Sequence, residues 1–170
     1  MIEAGFWVCL GLVFYIYTGY PVAVLLMARL IGRDVRKADI EPKVVVLIAA
    51  FDEEREIERT VLNKLSQDYP PDRLEVLVIS DGSTDRTDEI VENIAKRSEG
   101  RVGLLRQEPR QGKTQAINRA VPRVSGDILV FADANSIYAP DAIRRLVRSF
   151  ADPTVGYVTG QMIYTNPDGS

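Results

Sequence analysis

The chain contains no histidine and a single cysteine, Cys9, which stands in an apolar stretch. The first absence excludes a Ser-His-Asp triad, a Cys-His dyad and histidine-ligated zinc built from this chain alone. The second excludes an internal disulfide framework and a cysteine zinc site. Strong charge of one sign is lacking too. The formal net charge is −3 and the lysines and arginines are scattered, so nucleic acid is not among the partners the sequence calls for. Internal repeats and low-complexity segments are absent. What is left for chemistry is carboxylates, lysine, hydroxyls, backbone amides, or a metal held by oxygen.

At 170 residues the chain predicts one domain plus an appendage, with enough length to bury a core of ordinary size. The appendage is N-terminal. Ala4 to Ala28 carries no charged residue, roughly 25 positions, enough for a helix to cross a hydrocarbon core of about 30 Å. Phe6, Trp7, Phe14, Tyr15, Tyr17 and Tyr20 supply aromatic rings suited to a membrane interface. Gly19-Tyr20-Pro21 is set to kink the helix. Glu3 stands where a cleaved signal peptide would be positive, and the apolar run exceeds a normal signal core. Arg29, Arg33, Arg36 and Lys37 follow the run, so the positive-inside rule places the C-terminal side in the cytoplasm. The expected organisation is a membrane helix over 1–31, a juxtamembrane linker over 32–42 and a soluble domain over 43–170.

The soluble part alternates strand and helix patterns. Val44 to Ala50 is a continuous apolar, largely β-branched run, as a buried parallel strand requires. A helix follows over Glu54–Ser66, with Ile57, Val61, Leu62 and Leu65 as its apolar side. Further strands are expected over Leu74–Ser80, Arg101–Arg106, Ile128–Ala132 and Val155–Tyr164. Further helices are expected over Thr87–Arg97, Lys113–Val121 and Pro140–Phe150. The class is α/β, a mostly parallel open sheet with flanking helices. Ligands in such sheets bind outside the carboxyl ends of the strands. Three strands here end in polar groups: Phe51-Asp52-Glu53-Glu54, Asp81-Gly82-Ser83-Thr84-Asp85 and Asp133-Ala134-Asn135.

Each polar end suggests a role. Gly82 permits a tight turn, and Asp81 can accept from a ring N–H or a ribose hydroxyl. Asp85 either caps the next helix or braces the loop. Asp133 and Asn135 offer oxygen to Mg²⁺ or Mn²⁺ beside a nucleotide diphosphate, or else form a turn before the Pro140 helix. Arg110-Gln111-Gly112-Lys113-Thr114 is either a phosphate site at a helix N-terminus or an ordinary basic loop. It lacks the first glycine of a Walker A loop. No dinucleotide-binding glycine fingerprint follows the first strand.

Taken together, Ala49-Ala50-Phe51-Asp52-Glu53-Glu54, Ser80-Asp81-Gly82-Ser83-Thr84-Asp85, Gly112-Lys113-Thr114-Gln115-Ala116-Ile117-Asn118, and Asp133-Ala134-Asn135 before Tyr138-Ala139-Pro140-Asp141 resemble glycosyltransferase family 2. The resemblance is to its membrane-anchored, processive-synthase type, and covers the N-terminal, donor-binding part. It implies a GT-A fold and an inverting transfer from a nucleotide sugar, most often UDP-linked, to a glycan or lipid acceptor. By that pattern Asp81 binds the uracil, Ala50 and Glu53 lie near the nucleotide, and Lys113 lies near the diphosphate. Asp133 and Asn135 occupy the DxD positions for Mg²⁺ or Mn²⁺, with Asp133 also near the ribose. Asparagine at the second of these positions departs from the pattern and offers a neutral ligand.

The family's catalytic base and its Gln-x-x-Arg-Trp acceptor motif match no residue here, so the base is expected beyond Ser170 and no catalytic residue is assigned. The resemblance therefore implies a donor-binding half, inactive alone, whose partners include the membrane and a separate C-terminal half or subunit. Two other readings compete: a non-catalytic nucleotide-sugar-binding membrane subunit, and a sugar nucleotidyltransferase. The second lacks its glycine-rich, lysine-bearing signature after the first strand.

Overall fold

The computed structural model describes residues 2–163. The chain divides into two compact units, Met1–Val35 and Arg36–Ser170. The first comprises α1 (Ile2–Phe14), a π-helical turn (Tyr15–Gly19) and α2 (Tyr20–Ile31). Together they make a 30-residue helical run, long and apolar enough to cross a membrane. No residue of either helix is buried. The π turn lies where the sequence predicts a kink. Pro21 lacks an N–H and its ring would collide with the carbonyl four residues back. The chain widens instead, and the Tyr20 N–H donates to the Tyr15 carbonyl five residues earlier.

The second unit is built on four parallel strands, β1 (Val44–Ala50), β2 (Leu74–Asp81), β3 (Val102–Gln107) and β4 (Ile128–Asp133), in the order β3-β2-β1-β4. Alternate residues of β1 serve two cores. Val44, Val46 and Ile48 face α3 (Ile57–Leu65), α4 (Thr87–Arg97) and α6 (Ala142–Val147) through Ile57, Val61, Val91, Ile143 and Val147. Val45 and Leu47 pack with Ala116 and Ala120 of α5 (Lys113–Ala120). A strand buried on both sides has no polar face, so its sequence reads as an unbroken apolar run.

The chain winds outward from β1 through β2 to β3, then returns to the other side of β1 for β4. That reversal is a topological switch point, and open α/β sheets bind ligands in the crevice it leaves at the strands' carboxyl ends. The register sets Ala49 opposite Asp133, Ala50 opposite Ser80 and Asp81 opposite Gln107. The three polar strand ends therefore meet at one end of the sheet.

Four expectations are corrected. Residues 155–163 form no strand; among the described residues no strand pairs with them, and an isolated strand leaves its backbone groups without partners. Tyr164 lies outside the described residues. Of the expected apolar side of α3, Ile57 and Val61 are buried and Leu65 packs partly buried against the core, whereas Leu62 is half-exposed and Thr60 and Lys64 are buried in its place. The helices expected from Glu54 and Pro140 begin at Ile57 and Ala142. The Glu53 and Glu54 N–H groups donate to Thr87 Oγ1 and Asp85 Oδ2, and the Pro140 carbonyl accepts from Asp68 N–H. The linker expected over 32–42 is packed from Arg36 onward. Arg36 Nη2 donates to the Ala151 carbonyl at 2.8 Å, and Tyr69 Oη donates to the Pro42 carbonyl at 2.6 Å.

Candidate functional site

Ala50, Glu53, Asp81, Lys113, Asp133 and Asn135, picked out from sequence in four separate loops, line one cleft of about 360 Å³ at the switch point. Ala49, Phe51, Arg110, Gly112 and Ala134 complete its wall.

Asp81 ends β2 and is only 4% exposed. Its Oδ1 accepts from Gln107 Nε2 at 2.7 Å and from the Gln111 N–H at 2.9 Å. Its Oδ2 accepts from the Gly112 N–H at 2.8 Å, with Arg110 Nε 3.7 Å away. Burial pushes this carboxyl up, but the Gln111, Gln107 and Gly112 hydrogen bonds and the Arg110 charge outweigh it and hold the group below the usual carboxylate range. Asp81 is thus an ionised anchor that ties the β3–α5 loop to the end of β2. Asp81 also lines the cleft, and a carboxylate oxygen can accept more than one hydrogen bond.

The loop it anchors turns at Gly112, whose φ of 89° lies in the left-handed region that favours glycine. Lys113 then opens α5 and ion-pairs with Asp133 at the end of β4. Both side chains are about half exposed. Arg110 extends back over the cleft, its guanidinium 3.6 Å from the centroid of the Phe51 ring.

The loops after β1 and β2 brace each other. Asp52, at a positive φ of 53°, accepts from the Thr84 N–H at 2.7 Å. Asp85 accepts from the Glu54 N–H at 3.0 Å and from Thr87 Oγ1 at 2.6 Å. Burial raises the Asp85 carboxyl, but its bonds to Thr87 and Glu54 hold it low. Asp85 therefore braces the loop and supports the first turn of α4, and it is not part of the cleft wall.

Among the described residues no group of three or more acidic, histidine or cysteine side chains is assembled to hold a metal. Asp133 and Asn135 on the same wall supply one anionic and one neutral oxygen donor. That set fits a hard cation that completes its shell with diphosphate oxygens and water. The two residues suit Mg²⁺ or Mn²⁺ arriving with a nucleotide, and do not form a closed protein cage.

Sequence reasoning gave Phe51 no individual role and did not find Gln107, whereas Arg110 stood in the segment read as a phosphate site or a basic loop. Gln107 reaches Asp81 only through the β2–β3 register, which no local pattern reveals. Phe51 did carry a signal, since it lies within the polar segment that ends β1.

A parallel sheet whose polar strand ends and β3–α5 loop line one cleft at a switch point defines an open α/β protein with its ligand crevice at the carboxyl ends of the strands. The chain belongs to glycosyltransferase family 2, described as Glycosyl transferase family 2, which it matches over residues 45–170. It is 36% identical over 124 residues to a beta-monoglucosyldiacylglycerol synthase from Synechocystis sp., covering 68% of this chain and 24% of that protein. It is 34% identical over 118 residues to a poly-beta-1,6-N-acetyl-D-glucosamine synthase from Staphylococcus aureus, covering 69% and 28%. Among solved structures it superposes on the mannosyltransferase PcManGT from Pyrobaculum calidifontis, in complex with GDP-Man and Mn²⁺. The TM-score is 0.72 and the identity 32%, over 84% of this chain and 43% of that one. The fold is GT-A. The matched segment spans about a quarter of the length of these curated relatives.

Proposed function

We infer that this segment is the donor-binding part of an inverting glycosyltransferase, which presents a UDP-linked sugar for transfer to a glycan or lipid acceptor. The observation that carries the reading is the convergence of Asp81, Lys113 and Asp133 on one cleft at the switch point of the sheet. Asp81 takes the N–H edge of the base with a carboxylate oxygen. Ala50 and Glu53 flank the nucleotide. Lys113 leaves Asp133 to pair with the diphosphate, and Asp133 and Asn135 hold Mg²⁺ or Mn²⁺, with Asp133 also beside the ribose. The chemistry such a cation supplies is neutralisation of charge on the departing diphosphate.

In the reaction a base removes the acceptor hydroxyl proton, the freed oxygen attacks the anomeric carbon, and the bond to the diphosphate breaks with inversion. Asp81 and Asp133 do not suit the base. Asp81 is held ionised and already accepts three hydrogen bonds, and Asp133 is taken by Lys113 and the cation. In this reading Glu53 flanks the nucleotide, and by the family pattern deprotonation falls to a residue outside this segment, so we expect the chain alone to bind donor without transferring sugar. The α1–α2 run crosses a membrane in this reading, with the cleft on the cytoplasmic side.

Calorimetric titration of UDP and GDP into the detergent-solubilised chain, with and without Mn²⁺, tests it. Metal-enhanced UDP binding, lost in Asp81→Asn and weakened in Asp133→Ala, supports the reading. A preference for GDP corrects the base, and no binding of either by folded chain overturns the donor site.

A further inference from the structure

α3 carries a lysine where its own pattern calls for an apolar side chain. Ile57, Thr60, Val61 and Lys64 form its core-facing stripe, and Lys64 is fully buried at 0% exposure. A buried ammonium costs stability unless it is compensated. Methionine or leucine would fill the same position without that cost. No carboxylate pairs with Lys64 among the described residues, and burial lowers its ammonium from 10.5 to about 8.

The partners of this ammonium lie on one loop or are clamped to it. Lys64 Nζ donates to the Ser136 carbonyl at 2.5 Å and to Asn63 Oδ1 at 3.2 Å, and sits 3.7 Å from the centroid of the Tyr138 ring. Asn63 grips the same loop from the adjacent position. Its Nδ2 donates to the Tyr138 carbonyl at 3.0 Å, and its Oδ1 accepts from the Tyr138 N–H at 2.8 Å. At its other end the loop closes on β4, where Ser136 N–H and Oγ both donate to the Asp133 carbonyl, at 3.2 and 2.9 Å. Asp133 and Asn135 therefore stand on a short turn whose far side is fixed by two consecutive residues of α3. A displacement of Ser136 would reach Asn135 directly and Asp133 through its carbonyl.

We propose that Lys64 is a positioning residue: its buried ammonium fixes the Asp133–Tyr138 turn from beneath and so sets where Asp133 and Asn135 stand toward a divalent cation and a nucleoside diphosphate. The ligand half of this proposal rests on the donor-site reading above. The turn half rests on the hydrogen bonds alone.

The test pairs hydrogen exchange with calorimetry on the full chain in detergent, using Lys64→Met, which keeps the stem and removes the ammonium. In a variant that circular dichroism shows to be folded, amides of residues 134–138 exchange faster while those of residues 82–85 do not. The Mn²⁺-dependent gain in UDP affinity falls about 10–100-fold, the usual loss when a group supporting a metal ligand is removed. UDP affinity without Mn²⁺ stays as in the wild type. Lys64→Gln, a neutral donor, recovers part of the protection and carries the test if Lys64→Met does not fold. Unchanged exchange at 134–138 overturns the proposal. Equal loosening of both loops also overturns it, because Lys64 then serves the core at large. Absence of UDP binding by the wild-type chain overturns the donor-site reading and the ligand half with it, while the exchange result still decides whether Lys64 orders the turn.

Discussion

The Gly112 N–H donates to Asp81 Oδ2 at 2.8 Å, joining the end of β2 to the loop that opens α5. One carboxylate thereby serves both as a wall of the cleft and as the peg for the β3–α5 loop. The cleft wall and the order of the loop are joined through Asp81.

Asp81→Asn should damage both. The amide keeps one acceptor oxygen, whereas Gln107, Gln111 and Gly112 present three donors to the carboxylate. At least one donor is stranded in a buried setting, costing roughly 1–3 kcal/mol. Denaturant unfolding at pH 7 measures that loss. Because the folded carboxyl sits below its ordinary value, its stabilisation is complete above about pH 4 and disappears as pH falls through the folded pKa. Wild type and Asp81→Asn should therefore converge in stability on acidification; a constant gap from pH 7 to pH 3 would contradict this.

Gly112→Ala isolates backbone strain from crowding. A Cβ built at this position meets nothing within 4 Å, so the side chain itself fits. The φ of 89° and ψ of 162° fall in a region that L residues with a Cβ rarely occupy. The expected cost is about 1–3 kcal/mol, expressed as a displaced loop and weaker UDP binding. A variant with wild-type stability and affinity would mean that the loop is free to change its backbone conformation.

Lys113→Met should separate two affinities. The Lys113–Asp133 ion pair is half exposed, so its loss changes stability by less than about 1 kcal/mol. Without the ammonium, Asp133 is freed, and Mn²⁺ alone should bind no more weakly than to the wild type. UDP in the presence of Mn²⁺ should bind more weakly, because the diphosphate loses its cationic partner. Isothermal titration of each ligand separates the effects; parallel loss of both would mean that Lys113 shapes the cleft rather than meeting the phosphates.

The sheet was legible because parallel strands buried on both faces leave apolar runs, and the cleft was legible because each run stops at a polar group. Asp81 and Asp133 could be located from those stops without knowing which strands are neighbours, whereas Ala50 and Glu53 came from the family resemblance alone. Gln107 could not, since its bond to Asp81 depends on the alignment of β2 with β3. The Val155–Tyr164 segment misled for a related reason. Its composition suits a strand, but a strand exists only with a partner to receive its ladder. Lys64 was hidden by chemistry. Lysine is so seldom fully buried that a helical pattern containing one is turned to put it outside, which here rotated the expected face of α3 toward Leu62.

Lys64 also predicts how stability should respond to alkali. Burial lowers its folded-state value from 10.5 to about 8, so between those limits the unfolded chain keeps a proton that the folded chain releases. Where the unfolded state binds more protons, stability rises with pH. Relative to Lys64→Met, the wild-type chain should therefore gain stability as pH climbs from about 8 toward 10.5. A full shift of this size corresponds to roughly 3 kcal/mol at most. Taking the difference between the two proteins removes the titration of tyrosines and exposed lysines common to both. Denaturant unfolding of the pair at pH 7, 8, 9 and 10 measures it. A difference that stays flat over this range would mean that the Lys64 ammonium is solvated in the folded chain, and that its bond to the Ser136 carbonyl is made through water-accessible rather than buried contact.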